Sequence, residues 1–258
     1  MDEPAATGRF LKNFKKRPGR VLNRKWGAID RFLDRRILCM SFDYINMVIR
    51  PMLEGTKITL LLFFIVIATS IPLGFIITLL GRTRFKPLTW LVNAYIYVMR
   101  GTPLLLQLLF IVFGLPMIPV IGEYLVLERF TAACIGFVLN YAAYFAEIFR
   151  GGLLAIDKGQ YEAAQVLGLN KWQTTTRIII PQMFRIALPA MTNETVNLVK
   201  DTSLLYAVAV PELLHFAQTA VNRDFTIVPY FVAAGIYLVI TMIVTFLLRR
   251  TERRFQFE

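Results

Sequence analysis

Charged and amide side chains recur at helical spacing inside an otherwise apolar stretch, residues 186–214. Glu194, Asn197 and Asp201 stand at positions i, i+3 and i+7, so a helix presents them on one face, with Lys200 one position away. A lone charge at bilayer depth costs about 2.5–3.5 kcal/mol, so each of these groups needs a partner or water. The stripe therefore either lines a watery path for a solute or forms structural ion pairs with neighbouring helices.

Two more sets of charged residues adjoin apolar runs. Arg100 precedes a Gly-Thr-Pro break, which is typical of the discontinuous helices that transporters place near their substrate site. The alternative is an arginine at the inner membrane interface that extends its side chain towards the headgroups. Glu147 and Arg150 are three residues apart at the end of another run, which predicts a structural ion pair. The residues predicted to line a solute path are Arg100, Glu194, Asn197, Lys200 and Asp201.

Catalysis and metal binding have little support. His215 is the only histidine, and Cys39 and Cys134 lie in unrelated settings, so we predict no catalytic residue, metal site or disulfide. The phosphate-binding pattern Gly-x-x-x-x-Gly-Lys-Ser/Thr is absent from the sequence, which predicts no nucleotide site in this chain. The net charge of +12 lies mainly near the N terminus and in short loops between apolar runs, which is typical of membrane topology signals rather than of nucleic-acid binding.

The elements that must position these residues are membrane helices. The 258 residues are 56% hydrophobic, above the ~45–50% of soluble domains, and several uncharged runs approach the ~20 residues that cross a ~30 Å hydrocarbon layer as a helix. Small residues four apart, at 132 and 136 and at 142 and 146, predict close helix contacts. The five predicted spans are 58–80, with a kink at Pro72; 87–121, with an irregular start; 131–149; 186–214; and 228–248.

Lysine and arginine predict the orientation of the spans. They concentrate in segments that a five-span count places on one side: the loops 81–87 and 150–185 and the basic tail 249–258. The C terminus is therefore predicted to be cytoplasmic. Five spans then place the N terminus outside, which conflicts with a basic leader, residues 1–45, that is either amphipathic or disordered. Either translation starts at Met40, or the leader is made and lies against anionic lipid while later spans fix the orientation.

The loop 150–185 is expected to fold. Asp157 with Gln160 and Asn170 with Gln173 have capping-box spacing, so two short helices are predicted. Gly168 is suited to end the first helix in the left-handed conformation, and Pro181 is expected to limit the second. The predicted product is a helix–turn–helix knob, and the alternative is a loop that merely lies on the membrane surface.

The same loop carries a specific pattern: Glu162-Ala163-Ala164, three residues, Gly168, nine residues, Ile178, then Ile180-Pro181. It resembles the loop signature of importer permeases in the ATP-binding-cassette (ABC) superfamily, which reads Glu-Ala-Ala, Gly at the same spacing, and Ile-x-Leu-Pro. Here Ile180 replaces the leucine. Three other blocks resemble the polar-amino-acid branch of that family, and they start at Arg100, Ala146 and Lys200.

The resemblance implies an all-α membrane protein with the five transmembrane helices of the type I importer permease fold, over residues 56–248, and a cytoplasmic coupling loop. In the family this loop docks into a cleft of a partner ATPase, so the implied coupling residues are Glu162, Ala163, Ala164, Gly168 and Pro181. The implied partners are a dimer of ATPase subunits that bind ATP and Mg²⁺, a second permease subunit, identical or paralogous, an extracytoplasmic amino-acid-binding protein, and lipid. The expected setting is a bacterial cytoplasmic membrane, and the expected role is a pathway for polar amino acids without enzyme activity.

Two other classes of protein fit part of the pattern. A small ion-coupled carrier or a membrane-embedded enzyme would use the buried Glu, Lys and Asp for proton chemistry, but it has no reason to present a helix–Gly–helix knob at this spacing. A structural anchor for a soluble complex would need no charges in its spans. Co-purification of an ATPase distinguishes the importer permease from these classes.

Overall fold

Helices account for all the regular secondary structure in the residues that the computed structural model describes, 42–120 and 122–255. Of the predicted leader, residues 1–41 lie outside this range, and residues 42–45 already belong to the first helix. The α-helices are α1 (Phe42–Gly81), α2 (Lys86–Gly101), α3 (Leu104–Leu109), α4 (Arg129–Leu154), α5 (Lys158–Val166), α6 (Lys171–Gln173), α7 (Ile180–Asp201), α8 (Leu213–Asp224) and α9 (Val228–Phe255). Shorter π and 3-10 turns extend α3, α6 and α7.

Three single helices, α1, α4 and α9, are long and apolar enough to cross a membrane. Two more spans are bent pairs: Lys86–Gly101 with Leu104–Met117, bent by 106°, and Lys171–Val208 with Leu213–Asp224, bent by 55°. When each pair is counted as one span, the five predicted spans are present in the predicted order. The irregular start predicted for the second span corresponds to the sharp bend between its two helices. Pro72, the position of the predicted kink, lies inside α1, which continues through it as one helix.

The first helix is longer than a bilayer requires. Its 40 residues extend about 60 Å, twice the ~30 Å hydrocarbon layer. At its N-terminal end Val48 and Met52 pack against Leu213 of α8, and the Tyr44 hydroxyl donates a 2.8 Å hydrogen bond to Asp224 Oδ2 at the end of α8. The surplus part of α1 thus buries its apolar face against α8, which folds back along it.

Helices α1 and α4 approach each other closely at Gly74. A Cβ atom at Gly74 would lie 2.7 Å from Phe145 Cβ and 2.9 Å from the Ala142 carbonyl oxygen. Thr78 Oγ1 donates a 2.9 Å hydrogen bond to the Ala146 carbonyl oxygen across the same contact. This agrees with the close approach predicted from the small residues at 142 and 146, because only small side chains leave room for two backbones at this distance.

Helix α4 also packs against the second span and fixes its position. Gly136 lies so close to α3 that a Cβ atom there would be 2.8 Å from Leu108 Cδ2.

The start of α4 is capped by Glu128, whose carboxylate accepts hydrogen bonds from the backbone N–H groups of Thr131 and Phe130, at 2.9 and 3.1 Å. These two donors, Thr131 first, hold the pKa of Glu128 below its usual range. The second span and α1 both pack on this capped helix.

Candidate functional site

A polar cavity of about 770 Å³ lies between the break of the second span, α4 and the C-terminal half of α7. Asn140 and Tyr141, which form part of its wall, stand near the middle of the 26-residue α4, so the cavity lies near half-depth of that span. All five residues predicted to line a solute path line this cavity: Arg100, Glu194, Asn197, Lys200 and Asp201. The fold thus brings the Gly-Thr-Pro break and the polar stripe together.

The break itself is stabilised by two amide side chains. Thr102 and Pro103 have extended backbone, which ends α2 and leaves the carbonyl groups of its last turn without helical partners. The Met99 carbonyl oxygen instead accepts hydrogen bonds from Asn140 Nδ2 and Gln107 Nε2, both at 2.9 Å, and Asn140 Nδ2 also lies 3.0 Å from Gln107 Oε1. Because an unpaired carbonyl in the hydrocarbon region costs several kcal/mol, these amides make an irregular backbone tolerable at this depth.

Sequence reasoning missed Asn140, Gln107 and Tyr141 as parts of this site. Asn140 and Gln107 are each the lone amide side chain of an apolar run, 131–149 and 104–121. A lone polar side chain in such a run needs a hydrogen-bond partner, so the position of each amide already indicated a buried polar contact. The partner itself could not be read from the sequence, because Asn140 and the Met99 carbonyl are 41 residues apart.

The polar stripe of α7 faces this cavity. The Tyr141 hydroxyl, from α4, donates a 2.7 Å hydrogen bond to Asp201 Oδ2. Glu194 and Asn197 are half-buried, whereas Lys200 is exposed. Among the residues that the structure describes, no ion pair joins the stripe to Arg100 or to Glu147.

Arg100 is held at the edge of the cavity by α4. Its Nη1 atom lies 3.6 Å from Glu147 Oε1, and its guanidinium group stands over the Tyr144 ring, 5.3 Å from the centroid. Glu147 and Arg150, predicted as a pair, are in contact: Arg150 Nε donates a 2.7 Å hydrogen bond to Glu147 Oε2, and Arg150 Nη2 contacts Glu147 Oε1. One carboxylate is therefore shared by two arginines, one at the cavity and one at the end of the span.

The loop 150–185 forms the predicted knob, with one difference at its first helix. Asp157 caps α5 by accepting a 2.6 Å hydrogen bond from the Gly159 N–H group. The side chain of Gln160 does not complete the predicted capping box. Its Oε1 atom instead accepts a 2.9 Å hydrogen bond from Gln182 Nε2, because α5 lies against the start of α7. The first helix of the knob is thus tied to the fourth span.

The second helix of the knob has no end of its own. Asn170 and Gln173 form the predicted capping box, with distances of 2.9 and 3.0 Å. From Lys171 the helix continues through a π turn, Thr174–Ile179, directly into α7. The prediction that Pro181 limits a separate helix is therefore wrong. Pro181 is the second residue of α7 and follows the π turn, where the hydrogen-bond register changes and a missing amide hydrogen costs least.

Gly168 makes the turn between the two helices. Its φ angle is +70°, and two hydrogen bonds of 3.0 Å close the end of α5, from the Leu169 N–H group to the Ala164 carbonyl and from the Gly168 N–H group to the Gln165 carbonyl. This is a Schellman motif, which favours glycine because other residues are strained at positive φ. Within the described residues, no atom lies within 4 Å of the place where a Cβ would stand. Glycine is needed here for its backbone conformation rather than for space inside the chain.

The knob presents apolar side chains outside the spans. Val166, Leu167 and Trp172 are 88, 76 and 75% exposed. Of the predicted coupling residues, Ala164 is buried and the exposed ones are Glu162, Ala163, Gly168 and Pro181. A group of exposed apolar residues next to an exposed carboxylate is typical of a protein contact surface.

Three comparisons with known proteins agree with this geometry. Residues 70–257 match the family described as the binding-protein-dependent transport system inner membrane component. The chain is 38% identical over 216 residues to the probable amino-acid ABC transporter permease protein YckA of Bacillus subtilis. This match covers 83% of this chain and 90% of that protein. The chain is 37% identical over 222 residues to the glutamine transport system permease protein GlnP of Escherichia coli, over 83% and 98% of the two chains. A crystal structure of an amino acid ABC transporter with histidines superposes with a TM-score of 0.76 at 32% identity and covers 83% of this chain and 99% of that one.

Proposed function

We propose that this chain, which belongs to the family of binding-protein-dependent transport system inner membrane components, forms one half of a membrane pathway for polar amino acids. It is a membrane-spanning permease subunit of an ABC importer with the type I fold. The proposal of an amino acid as the solute is supported by relatives whose names specify amino-acid or glutamine transport. Membership in this family also disfavours an ion-coupled carrier or a membrane-embedded enzyme.

The polar cavity is the observation that carries the proposal. An amino acid is a zwitterion, so its carboxylate needs a cation or hydrogen-bond donors and its ammonium group needs an anion. The cavity offers Lys200 and Arg100 of one sign and Glu194 and Asp201 of the other, at half-depth of the spans. Arg100 is already paired with Glu147, whereas Lys200 forms no ion pair among the described residues. Lys200 is therefore the proposed partner of the substrate carboxylate, and Glu194 is the proposed partner of the ammonium group.

Energy reaches this cavity through the knob. A partner ATPase dimer would bind ATP and Mg²⁺ and would take up the exposed face around Glu162, Leu167 and Trp172. Because the second helix of the knob continues into α7, a displacement of the knob moves the helix that bears Glu194 and Asp201. A change in the ATPase thereby shifts the population of inward-open and outward-open states of the pathway.

The remaining parts of the importer complete the proposal. A second permease subunit, identical or paralogous, closes the open side of the cavity, and an extracytoplasmic binding protein delivers the solute at the end of the spans opposite the knob. The knob and the C terminus lie in the cytoplasm of a bacterial cell, because the lysine- and arginine-rich segments fall on their side of the membrane.

The function is tested by purifying the full chain, with an affinity tag, from the membranes of its own organism in a mild detergent. The proposal expects an ABC ATPase to co-purify and expects the complex, after reconstitution in liposomes, to import an amino acid from a binding protein with ATP inside. Glu194→Gln is expected to weaken uptake while the ATPase stays bound. Uptake driven by an ion gradient without ATP would contradict the proposal.

A further inference from the structure

The last helix, α9, is less covered by the rest of the chain than the other single-helix spans. In its apolar window 6% of the residues are buried, compared with 33% in α1 and 61% in α4. Leu238, Met242 and Phe246 recur every four residues and are 70, 62 and 63% exposed. Four arginines follow them in the same groove of the helix surface: Arg249, Arg250, Arg253 and Arg254.

The depth of these arginines follows from the length of the helix. With 28 residues, α9 extends about 42 Å, longer than the ~30 Å hydrocarbon layer. When the count starts at Val228, about 20 residues bring the chain to Leu248, so the next two turns lie at the depth of the lipid headgroups. The orientation proposed above places this end in the cytoplasmic leaflet, where anionic lipids give a negative surface potential.

The arrangement of the charges favours a phosphate group. Arg249 and Arg253 are four residues apart, as are Arg250 and Arg254, so the side chains form two adjacent columns on one face. All four are exposed, and none forms an ion pair with another described residue. Like charges at this spacing repel one another, which an anion between them relieves. Guanidinium groups bind phosphate oxygens in pairs of parallel hydrogen bonds.

We propose that this face of α9 binds an anionic phospholipid, with its phosphate among the four arginines and an acyl chain along Leu238, Met242 and Phe246. A second copy of the chain fits the face less well. A second copy that packed its own α9 on this face about a two-fold axis would place identical residues at the same depth, so two sets of four arginines would meet. A free phosphate ion would use the arginines alone and would leave the apolar strip without a function.

The test compares lipid retention by the purified full chain in detergent with phosphatidylglycerol or phosphatidylcholine added, measured by native mass spectrometry. We expect phosphatidylglycerol to be retained preferentially, with a loss of about five-fold for each arginine removed in the series R250Q, R250Q/R254Q and R249Q/R250Q/R253Q/R254Q. The matched control is R82Q/R84Q, which removes two exposed arginines from another basic loop and is expected to leave retention unchanged.

Three results would overturn the proposal. The first is equal retention of the two lipids by the unmodified chain. The second is displacement of the retained phosphatidylglycerol by millimolar inorganic phosphate, which would identify a simple anion site. The third is a fall in the oligomeric state of the R250Q/R254Q variant in phosphatidylcholine nanodiscs, which would identify the face as a contact between copies. The double variant keeps half of the charge, so it remains informative if the fourfold variant fails to fold.

Discussion

The hydroxyl group of Tyr141 on α4 donates a 2.7 Å hydrogen bond to Asp201 at the end of α7, which joins the third and fourth spans at the wall of the polar cavity. Tyr141 is 2% exposed, and its ring stacks near Phe137. The bond ties one acidic group of the cavity to the neighbouring span.

Tyr141→Phe removes this hydroxyl and keeps the ring. A hydrogen bond to a charged group contributes about 1.5–3 kcal/mol, so we expect a roughly ten-fold or larger loss in kcat/KM for uptake by the reconstituted importer. Tyr206→Phe is the matched control, because Tyr206 is half-exposed and lies outside the cavity. If both variants transport at the unmodified rate and KM, Asp201 does not depend on Tyr141 and the cavity wall has another function.

Gly168→Val and Gly168→Asn distinguish backbone conformation from size at the turn of the knob. Left-handed backbone costs a non-glycine residue roughly 1–2 kcal/mol, least for asparagine and most for a β-branched residue. Because the space around a Cβ is open within the described chain, asparagine should keep the Schellman motif and valine should lose it.

The measurement for this pair is the number of solute molecules imported per ATP hydrolysed, with membrane insertion checked by the yield of monodisperse protein. We expect valine to leave insertion intact and to lower this ratio strongly, and asparagine to retain most of it. Equal loss in both variants would indicate that the glycine is needed for contact with the ATPase rather than for the turn. Normal uptake by the valine variant would count against the coupling role of the knob.

Glu147→Gln tests the carboxylate that Arg100 and Arg150 share. Its loss removes the carboxylate that Arg100 contacts, whereas in the double variant Glu147→Gln/Arg100→Gln neither member of the pair is charged. We therefore expect the double variant to be less destabilised than the sum of the two single variants, by about 0.5–3 kcal/mol of coupling free energy. Unfolding of the purified chain in detergent measures this quantity, and strict additivity would show that Arg100 and Glu147 act independently.

Gly74→Ala tests the contact between α1 and α4. The added methyl group would lie 2.7 Å from Phe145 Cβ and 2.9 Å from a backbone oxygen, neither of which can move without shifting a helix, so we expect a destabilisation of about 1–3 kcal/mol. Gly151→Ala is the control, because Gly151 is helical and a Cβ there meets no atom within 4 Å among the described residues. That control should be neutral or more stable, by up to about 1 kcal/mol. A lower unfolding temperature in Gly151→Ala than in Gly74→Ala would contradict the described packing.

The span positions and the polar stripe could be predicted from the sequence because both depend on local periodicity. Glu194 and Asp201 mark a polar face whether or not their surroundings are known, and Gly168 with Asn170 specifies a turn through local backbone preferences. The partners of these groups could not be predicted, because Tyr141 and Asp201 are 60 residues apart and meet only through helix packing.

Two local predictions also failed for tertiary reasons. Gln160 has the spacing for a capping box, yet Gln182 from the neighbouring helix provides a competing donor for its side chain. Pro181 is usually a signal that a helix ends, yet the π turn before it changes the hydrogen-bond register and allows the helix to continue. In both cases a contact or register that depends on the assembled bundle replaced the local preference.

The most direct test of the account is photo-cross-linking from the knob in the intact cell membrane. A photoreactive amino acid replaces Trp172, which is 75% exposed on the knob, and in a control it replaces Tyr124, which is 86% exposed in the short turn before α4. We predict that the group at 172 cross-links to an ABC ATPase, with a yield that changes when ATP is bound, and that the group at 124 does not. Cross-links from position 172 to lipid alone would contradict the account.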